Sequence, residues 1–469
     1  MTRDSVLKLY ENIKGSGKTM DVVKFMIEHA LYPAMEKRRG NKVRAYTDEL
    51  LKTQYLGFEE MDALRNSKLK ALLLHAVKHV PAYMEIGITQ DEIEEDPIKA
   101  LEKIPPLTKK TFRENSDMYL SDDAKKETLI ANKSGGSTSE PVKFFMDRKT
   151  VEYYEAARWR GLSWFGITNG SRCAMIWGNP IELELSKQRR YRLKEKWLKN
   201  RIIIPAYALD TPKIGEYVRK INSFTPEYIY GYSSALYAFS ELVEKSGFKI
   251  AAKLKAVVST AEMLHDYQRE KIEQIFACPV VNEYGARDGG IIAMQCENGS
   301  MHVSYENMII ETVRPGTFEH TDNGESGIVL ITDLNNFVMP RIRYMVGDRA
   351  SLSEKPCTCG RSLPVISSID GREDDVFLTK DGKLIHGHIF NHIARDSGVI
   401  AKIQMIQEDV DHAELKYVRI EGADDGAVYK FLSDIRAVLP GCEITIHEVP
   451  DIPSSPSGKF RYAIRKFPL

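Results

Sequence analysis

The chain has 469 residues, of which 43% are hydrophobic and 28% are charged, so we expect two or three ordinary globular domains. Lys and Arg together number 66, as do Asp and Glu, and this balance argues against partners such as nucleic acid or an anionic membrane. No segment is apolar for long enough to span a bilayer, and residues 1–4 lack the apolar core of a signal peptide. The six cysteines are too unevenly spaced for a disulfide framework, so we expect a cytoplasmic protein with reduced thiols.

The first structural pattern is helical. Residues 20–90 carry apolar side chains at three- and four-residue spacing, which predicts a helical N-terminal region. His75 and His79 lie one helical turn apart within it, as metal ligands can. Because no carboxylate or thiol cluster stands beside them in the sequence, we interpret them as a surface pair.

A loop of small residues follows this region. A tight turn of such residues leaves backbone N–H groups accessible, and hydroxyl groups add further donors, so the loop suits the oxygens of a polyphosphate. For the loop by itself, a linker or a hairpin is the alternative. The residues are Ser134, Gly135, Gly136, Ser137 and Thr138.

Beyond the loop, short apolar runs alternate with helical patterns, which predicts an α/β fold with parallel strands. Past residue 375 the pattern changes to two short helices among alternating strands, and about a hundred residues suffice for a separate small α+β domain. The predicted strands are 173–177, 202–204, 228–230 and 256–258, and the predicted helices between them include 234–246 and 266–276.

Four further motifs follow the loop in order along the chain. Together with the loop they resemble the adenylate-forming superfamily of acyl-CoA synthetases and peptide-synthetase adenylation domains. Each motif is weak alone, but five in the right order over about 330 residues are specific. The motifs are Asn-Glu-Tyr-Gly-Ala-Arg-Asp at 282–288, Arg-Tyr-Met-Val-Gly-Asp at 343–348, Gly-Arg-Glu-Asp-Asp at 371–375 and Pro-Ser-Ser-Pro-Ser-Gly-Lys at 453–459.

Segments 46–83, 259–263 and 357–361 narrow the resemblance to phenylacetate–CoA ligases and capsule-biosynthesis ligase-like proteins. The sequence departs from the superfamily pattern at three positions. Ser139 replaces the usual Gly, Glu140 replaces a frequent Lys, and Asp288 replaces Glu, which shortens the reach to a metal by one methylene. None of these changes removes a functional group that the reaction requires.

The resemblance implies a large N-terminal adenylate-forming domain with parallel-strand sheets and a small α+β C-terminal lid domain. We expect the first to occupy residues 1–373, with a helical extension over 1–90, and the second to occupy 374–469. Asp374 would be the hinge on which the small domain reorients between two half-reactions.

The family reaction joins a carboxylate to the α-phosphate of ATP and then passes the acyl group from AMP to an acceptor. The resemblance implies that residues 134–138 hold the β- and γ-phosphates and that Tyr284 lies against adenine. Asp348 would accept both ribose hydroxyls, with Arg372 beside it. The complete expected ATP/AMP-binding set is Ser134, Gly135, Gly136, Ser137, Thr138, Thr260, Ala261, Glu262, Glu283, Tyr284, Gly285, Asp348, Arg372 and Lys459.

Catalysis is expected to depend on electrostatic stabilisation as pyrophosphate departs. Lys459 would bridge the substrate carboxylate and the α-phosphate, Asp288 would hold Mg²⁺, and Thr138 would contact the departing phosphates. The acid pocket, as in relatives, would draw on Tyr207, Gly231, Tyr232 and Ala286, whose two tyrosines hint at an aromatic or otherwise planar acid.

Several questions stay open at the level of sequence. Coenzyme A is the expected acceptor, and a carrier-protein thiol or an amine, as in decoration of a surface polysaccharide, is the alternative. A non-catalytic nucleotide-binding sensor is the rival class, although a sensor has no need of Lys459. The acid itself and the oligomeric state, including a homodimer, are left open.

A last constellation combines three cysteines and one histidine. Three sulfurs and one imidazole form a closed tetrahedral set, which is typical of a structural zinc site. The alternative is that the thiols are simply buried. The residues are Cys296, His302, Cys357 and Cys359.

Overall fold

The structure, a computed structural model, describes residues 22–133, 142–177, 195, 199–206, 209, 211–372, 375–453 and 460–467. The described residues divide into two compact units. The first comprises those up to 310 together with 331–344 and 354–366, and the second comprises 311–330, 345–353 and those from 367 onward. The expected domain boundary at 373–374 falls outside the described residues and stays a prediction.

The first unit begins with helices, as the apolar spacing predicts. Helix α4 is typical: Met61, Leu69, Leu72, Leu73 and Ala76 recur along it and are all buried. Among the described residues, no helix combines the length and the apolar character needed to cross a bilayer. The helices are α1 (Val22–Met26), α2 (Tyr32–Arg39), α3 (Val43–Thr53), α4 (Phe58–His79), α5 (Pro81–Met84), α6 (Gln90–Glu95), α7 (Pro97–Glu102) and α8 (Lys109–Glu114), with a π-helical turn at Ile27–Leu31 and 3₁₀ turns at Ser116–Tyr119 and Lys126–Thr128.

The main sheet of the first unit follows a small antiparallel pair of strands, β1 (Ile130–Lys133) and β2 (Lys143–Met146). Its strands lie in the order β9-β8-β7-β6-β5-β3-β4, parallel from β4 to β7 and antiparallel from β7 to β9. The predicted parallel strands are thus confirmed. The strands are β3 (Cys173–Trp177), β4 (Arg201–Pro205), β5 (Tyr228–Tyr232), β6 (Ala256–Thr260), β7 (Val280–Ala286), β8 (Gly290–Gln295) and β9 (Met301–Val303).

Helices cover both faces of this sheet, which explains why its central strands are apolar throughout. One face packs on α9 (Arg148–Ser163), through Leu162 and the half-buried Trp159. The other face packs on α10 (Thr211–Phe224), α11 (Ser233–Lys245) and α12 (Asp266–Phe276), through a core that includes Ile229, Leu236 and Ile272.

The second unit has its own core. A four-stranded sheet in the order β18-β17-β16-β19 packs against two helices through Phe390, Leu415 and Phe431, as predicted for a small α+β unit. Parts of four longer strands also contribute to this unit: β10 (Met308–Val313), β11 (Gly327–Asp333), β12 (Tyr344–Ser353) and β13 (Val365–Arg372). The remaining elements are β14 (Val376–Leu378), β15 (Leu384–His386), α13 (His388–Ser397), β16 (Ile400–Gln407), β17 (His412–Arg419), α14 (Asp425–Val438), β18 (Glu443–Glu448) and β19 (Ala463–Arg465).

Candidate active site

Three parallel strands end side by side at one edge of the main sheet. Tyr232 of β5 pairs in register with Thr260 of β6, and Thr260 pairs with Glu283 of β7. Ligands of open α/β sheets bind beyond the carboxyl ends of parallel strands, so this edge is where a small-molecule site is expected. The structure therefore brings together the strand-borne residues predicted for nucleotide and acid, including Gly231 and Tyr284.

The turn after β6 is held firmly in an unusual conformation. Ala261 has φ +65°, in the left-handed region that residues with a Cβ seldom adopt. The next residue, Glu262, accepts a hydrogen bond at Oε2 from the Ser234 N–H (2.9 Å) and so caps the start of α11. Ser233 Oγ also lies 2.7 Å from Ser259 Oγ. These contacts fix the turn that carries Thr260, Ala261 and Glu262 of the predicted nucleotide-binding set.

Strand β7 turns tightly into β8, and the turn positions Tyr284 and Asp288. A Cβ on Gly285 would lie 2.7 Å from the Gly290 carbonyl oxygen. Gly290 itself has φ +71°, and a Cβ there would lie 2.4 Å from the Tyr154 ring. Both positions therefore require glycine, and the close backbone approach fixes the segment between them.

Asp288 belongs to a buried group of hydrogen-bonded side chains that we call the carboxylate network. The Tyr344 hydroxyl donates to Asp288 Oδ2 (2.7 Å). Tyr154 donates to Asp333, and Arg341 Nη2 lies 3.2 Å from the same carboxylate. Burial raises the pKa of the Asp333 carboxyl by more than Arg341 and Tyr154 lower it. The network comprises Tyr154, Asp288, Asp333, Arg341 and Tyr344.

Asp288 fits the role of a magnesium ligand. Its side chain is buried, and Tyr344 fixes its orientation through one carboxylate oxygen. The other oxygen, Oδ1, accepts no hydrogen bond from the described part of the chain. One carboxylate suffices, because Mg²⁺ in nucleotide sites is usually bound by one or two carboxylates together with phosphate oxygens and water.

Glu283 lies within a second group, the Glu283 network of Arg158, Tyr230, Thr260 and Glu283, in which all members except the partly exposed Arg158 are buried. Its carboxylate accepts hydrogen bonds from the Tyr230 hydroxyl (2.5 Å) and the Thr260 hydroxyl (3.0 Å). Arg158, on α9, donates to both oxygens through Nε (3.0 Å) and Nη2 (3.4 Å). The side chain that sequence assigned to nucleotide binding is thus held on the α9 face of the sheet.

Two predicted ribose-binding residues belong to the second unit. Asp348 lies on β12 and Arg372 ends β13, which neighbours β12 in the sheet. Both side chains are half-buried. They thus lie on adjacent strands, and their roles at the ribose stay predictions.

Part of the predicted site lies outside the described residues. This applies to the phosphate loop, the pocket residue Tyr207, the hinge residue Asp374 and the bridging residue Lys459. Their roles stay predictions. The phosphate-loop residues concerned are Ser134, Gly135, Gly136, Ser137 and Thr138, followed by Ser139 and Glu140.

The three cysteines and the histidine of the proposed zinc site do come together, and we call them the thiol cluster. Cys296 Sγ and Cys357 Sγ are 3.7 Å apart, and Cys359 Sγ is 3.2 Å from His302 Nε2. One potential ligand atom from each residue lies within 4.8 Å of all the others. Tetrahedral zinc with Zn–S bonds of about 2.3 Å places its sulfurs about 3.8 Å apart, so the cluster fits the ion.

The imidazole of the thiol cluster is oriented as a metal ligand. His302 Nδ1 donates to the Leu363 carbonyl oxygen (3.0 Å), so Nε2 faces the sulfurs with its lone pair available. Burial lowers the pKa of His302 and favours this neutral form. Burial also raises the pKa of the Cys296 thiol to about 12, which disfavours the thiolate as long as no cation is present.

The environment of His75 and His79 corrects one expectation. The sequence places no carboxylate near them, but Asp122 Oδ1 lies 2.9 Å from His79 Nδ1, and Asp123 Oδ1 lies 4.0 Å from His75 Nε2. The turn that carries both aspartates folds back on the end of α4, where the Asp122 N–H donates to the His79 carbonyl oxygen. The pair is therefore not isolated from carboxylates.

Sequence reasoning did not assign roles to Arg158, Tyr230, Arg341 or Tyr344. Tyr344 and Arg343 stand inside a recognised motif, so the motif could have suggested Tyr344. Arg158 gives a weaker signal, because one arginine in an amphipathic helix is ordinary. Its partner Glu283 lies 125 positions away and becomes visible only in the fold.

Solved structures share the fold of this chain. 2-Hydroxyisobutyryl-CoA ligase, in complex with 2-HIB-AMP, aligns with a TM-score of 0.69 and 18% identity over 88% of this chain and 91% of that one. The anthranilate CoA ligase AuaEII, in complex with anthranoyl-AMP, aligns with a TM-score of 0.52 and 14% identity over 72% and 66%. The fold is that of the adenylate-forming acyl-CoA ligases, as the motifs predicted.

Sequence relatives narrow this class. Residues 377–466 match the family described as the CapK C-terminal domain. Protein CapK of Staphylococcus aureus is 26% identical over 415 residues, which cover 86% of this chain and 88% of CapK. Phenylacetate-coenzyme A ligase of Thermus thermophilus is 25% identical over 371 residues, which cover 76% and 81%. The homologues of this chain are therefore CapK and the phenylacetate–CoA ligases.

Proposed function

We propose that this protein is an ATP-dependent carboxylate ligase that forms an acyl-AMP and then transfers the acyl group, with coenzyme A as acceptor. The observation that carries the proposal is the strand-end edge, where Thr260 pairs with Glu283, next to Tyr284, and the same strand leads into the turn in which Tyr344 holds Asp288. The homologous phenylacetate-coenzyme A ligases support this reaction class, and the shared acyl-CoA ligase fold supports it independently.

In the first half-reaction, a carboxylate oxygen of the acid attacks the α-phosphorus of ATP, and pyrophosphate leaves. We assign the β- and γ-phosphates to residues 134–138 and adenine to the face of Tyr284. Asp348 and Arg372 take the ribose hydroxyls. Asp288 would hold Mg²⁺ among the phosphate oxygens, where the ion supplies charge neutralisation.

In the second half-reaction, the acceptor sulfur attacks the acyl carbon, and AMP leaves. Asp374 is proposed as the hinge on which the C-terminal residues reorient, so that Lys459 serves the first step and withdraws before the second. Lys459 is suited to this because its ammonium group is a compact charge on a flexible stem.

A second acceptor class has its own support. CapK is a relative whose similarity covers most of the chain. Residues 377–466 match the family described as the CapK C-terminal domain. Transfer to an amine or a carrier-protein thiol during decoration of a surface polysaccharide is therefore the alternative. It shares the adenylation step with the first proposal and differs only in the acceptor.

We also propose that the thiol cluster holds a structural zinc ion. Four protein ligands close the coordination sphere, which leaves no position for a substrate. All six cysteines are free thiols in the structure, and this supports the proposal of a reducing, cytoplasmic setting.

The proposal is tested by ATP–pyrophosphate exchange across aryl, fatty and amino acids, with the Lys459→Ala variant beside wild type. Removal of a charge that stabilises the transition state typically costs about 2.7–4 kcal/mol, roughly a hundred- to a thousandfold in rate. ATP binding should persist in the variant.

The matched control is Lys466→Ala, which removes an exposed lysine seven positions further along that pairs with Glu408. It should leave exchange unchanged. Wild-type exchange by Lys459→Ala would refute the role of Lys459, and absence of acid-dependent exchange in wild type would refute the ligase itself.

A further inference from the structure

The Glu283 network places an ion pair at the strand-end edge, between a buried carboxylate and a partly exposed guanidinium, and the two half-reactions assign no role to the pair. Glu283 is almost fully buried, and its carboxylate receives hydrogen bonds from Arg158, Tyr230 and Thr260. Burying a charge pair carries a desolvation cost, and apolar replacements of similar volume are often neutral or stabilising. The pair is therefore weak evidence of a role in stability alone.

Arg158 is partly exposed to solvent. Its side chain is 40% exposed, although every residue of α9 after Lys149 is buried or half-buried. Within the described residues, the guanidinium donates hydrogen bonds to Glu283 alone, through Nε and Nη2. The Nη1 group thus retains its donors at a place where the carboxyl ends of the parallel strands leave room for a ligand.

Aromatic side chains form the wall beside this guanidinium. Arg158 Cζ lies 5.5 Å from the centre of the Tyr230 ring. The ring of Trp177 is 5.8 Å from that of Tyr230 and 4.2 Å from that of Tyr232, which is one of the predicted pocket residues. A cluster of rings at the strand ends presents flat, polarizable surfaces that suit a planar group.

The charge of the network decides which group Arg158 can accept. Glu283 already balances the guanidinium, so a second carboxylate on the ligand would meet the repulsion of Glu283 as well as the attraction of Arg158. An uncharged oxygen, such as a hydroxyl or a carbonyl group, takes a hydrogen bond from Nη1 without that repulsion. Glu283 is then the positioning residue that fixes the orientation of the Arg158 guanidinium.

We propose that Arg158 selects the acid, an inference that rests on the proposed ligase function. The substrate is a planar acid with an uncharged hydroxyl or carbonyl oxygen at the end remote from its reacting carboxylate. Hydrocarbon acids of the same shape lack a partner for Nη1 and leave this donor unpaired. A site built to bind such an oxygen discriminates strongly against an analogue that lacks it.

The test compares matched acids in ATP–pyrophosphate exchange. The pairs are phenylacetate with 4-hydroxyphenylacetate, benzoate with 4-hydroxybenzoate, and butanoate with 4-hydroxybutanoate, and 4-carboxyphenylacetate serves as the charged arm. For at least one aromatic pair, wild type should favour the hydroxylated acid in kcat/KM by about 10- to 100-fold, the range of one hydrogen bond to a charged group. The charged acid should fall below the hydroxylated one.

Variants then assign the preference to the guanidinium. Arg158→Met should reduce the ratio of kcat/KM between hydroxylated and parent acid to about one, and Arg158→Lys should give an intermediate ratio because lysine lacks the planar fork. Lys149→Met is the matched control on the same helix and should retain the wild-type ratio. Because each ratio compares two acids on one protein, partial loss of folded enzyme does not affect it.

The outcomes separate this inference from the proposal on which it rests. Exchange that favours the hydrocarbon or the charged member of the pairs, or an unchanged ratio in Arg158→Met, would overturn the selection by Arg158 and leave the ligase function standing. Absence of exchange with every acid would instead contradict the ligase function, and the inference would fall with it.

Discussion

The carboxylate network and the thiol cluster both belong to the first unit, but their polar atoms are satisfied differently. In the carboxylate network, Asp333 meets Arg341 and Tyr154, and Asp288 meets Tyr344, so each carboxylate has a donor from the protein. In the thiol cluster, similar groups face one another, with two sulfurs 3.7 Å apart. In the first arrangement the protein holds both carboxylates in place, and Asp288 Oδ1 is left for a ligand. We propose that a zinc ion completes the second.

The largest effect is expected from breaking the buried ion pair of the carboxylate network. Asp333→Ala would leave the fully buried Arg341 without its carboxylate, and loss of one partner of a buried ion pair costs about 3–5 kcal/mol of folding free energy. Urea denaturation of the purified protein measures this loss.

The control for this prediction is an exposed pair. Asp322, 91% exposed, lies 3.1 Å from Arg314, and Asp322→Ala should cost no more than about 1 kcal/mol. An equal loss for the two variants would show that burial of the carboxylate network does not matter to stability.

The next largest effect distinguishes a structural role of Asp288 from a role in catalysis. Asp288→Asn keeps an oxygen that accepts from Tyr344 but removes the charge proposed to hold Mg²⁺. We expect folding stability close to wild type and adenylation slower by roughly a hundred- to a thousandfold, or about 2.7–4 kcal/mol. The measurement is pyrophosphate exchange as a function of Mg²⁺ concentration.

Asp288→Glu is the matched variant, because it restores the residue that the superfamily usually has. It should retain most of the Mg²⁺-dependent activity. If Asp288→Asn exchanges at the wild-type rate, Asp288 is a structural carboxylate like Asp333, and this distinction within the carboxylate network disappears.

For the thiol cluster we expect the opposite of Asp288→Asn: a loss of stability without a loss of activity. Removal of zinc by a chelator, or Cys357→Ser, should lower stability by about 2.7 kcal/mol where free zinc had been a hundredfold above its dissociation constant. The rate of exchange per folded molecule should not change, because the site is closed. Thermal unfolding and exchange, measured on the same samples, test both statements.

Cys442→Ser is the control for the cysteine substitution, since Cys442 lies in the second unit, apart from the cluster. It should leave both zinc content and stability unchanged. A zinc-to-protein ratio near zero, by elemental analysis after purification without chelator, would remove the metal from the thiol cluster.

The sequence predicted those parts of the fold that depend on local pattern. The parallel strands and their helices follow from short apolar runs and helical spacing, and helix 266–276 has the predicted bounds. The ring positions and charges of the Glu283 network could not be predicted, because the Arg158–Glu283 contact depends on how α9 packs over the sheet.

The thiol cluster shows the same limit. The spacing of Cys357 and Cys359 suggested a metal site, and the fold brings them to Cys296, which is 61 positions from Cys357. The hydrogen bond from His302 to the Leu363 carbonyl oxygen is set by the pairing of β9 with the start of β13. Such backbone contacts have no sequence signature, although they decide which nitrogen faces the sulfurs.

The smallest effect concerns His75 and His79, which with Asp123 form the other candidate metal group among the described residues. Here the ring nitrogens already have partners, since His75 Nε2 lies 2.9 Å from the Phe337 carbonyl oxygen and His79 bonds to Asp122. This group therefore resembles the carboxylate network more than the thiol cluster, and we expect it to respond to protons instead of zinc.

Burial lowers the pKa of His75, more than Asp123, Asp122 and the bond to Phe337 raise it. Below about pH 6.5 the unfolded chain therefore binds more protons at this position than the folded protein, so the free energy of unfolding falls as the pH drops. His75→Gln removes the titration and keeps an N–H donor, so the loss of stability between pH 7.5 and 5.5 should be smaller by some tenths of a kcal/mol. Asp123 does not interfere, because the Ser121 hydroxyl lowers the pKa of its carboxyl below this range. Urea denaturation at both pH values measures this difference. If wild type and His75→Gln lose the same free energy of unfolding, His75 is protonated as readily in the folded protein as in the unfolded chain.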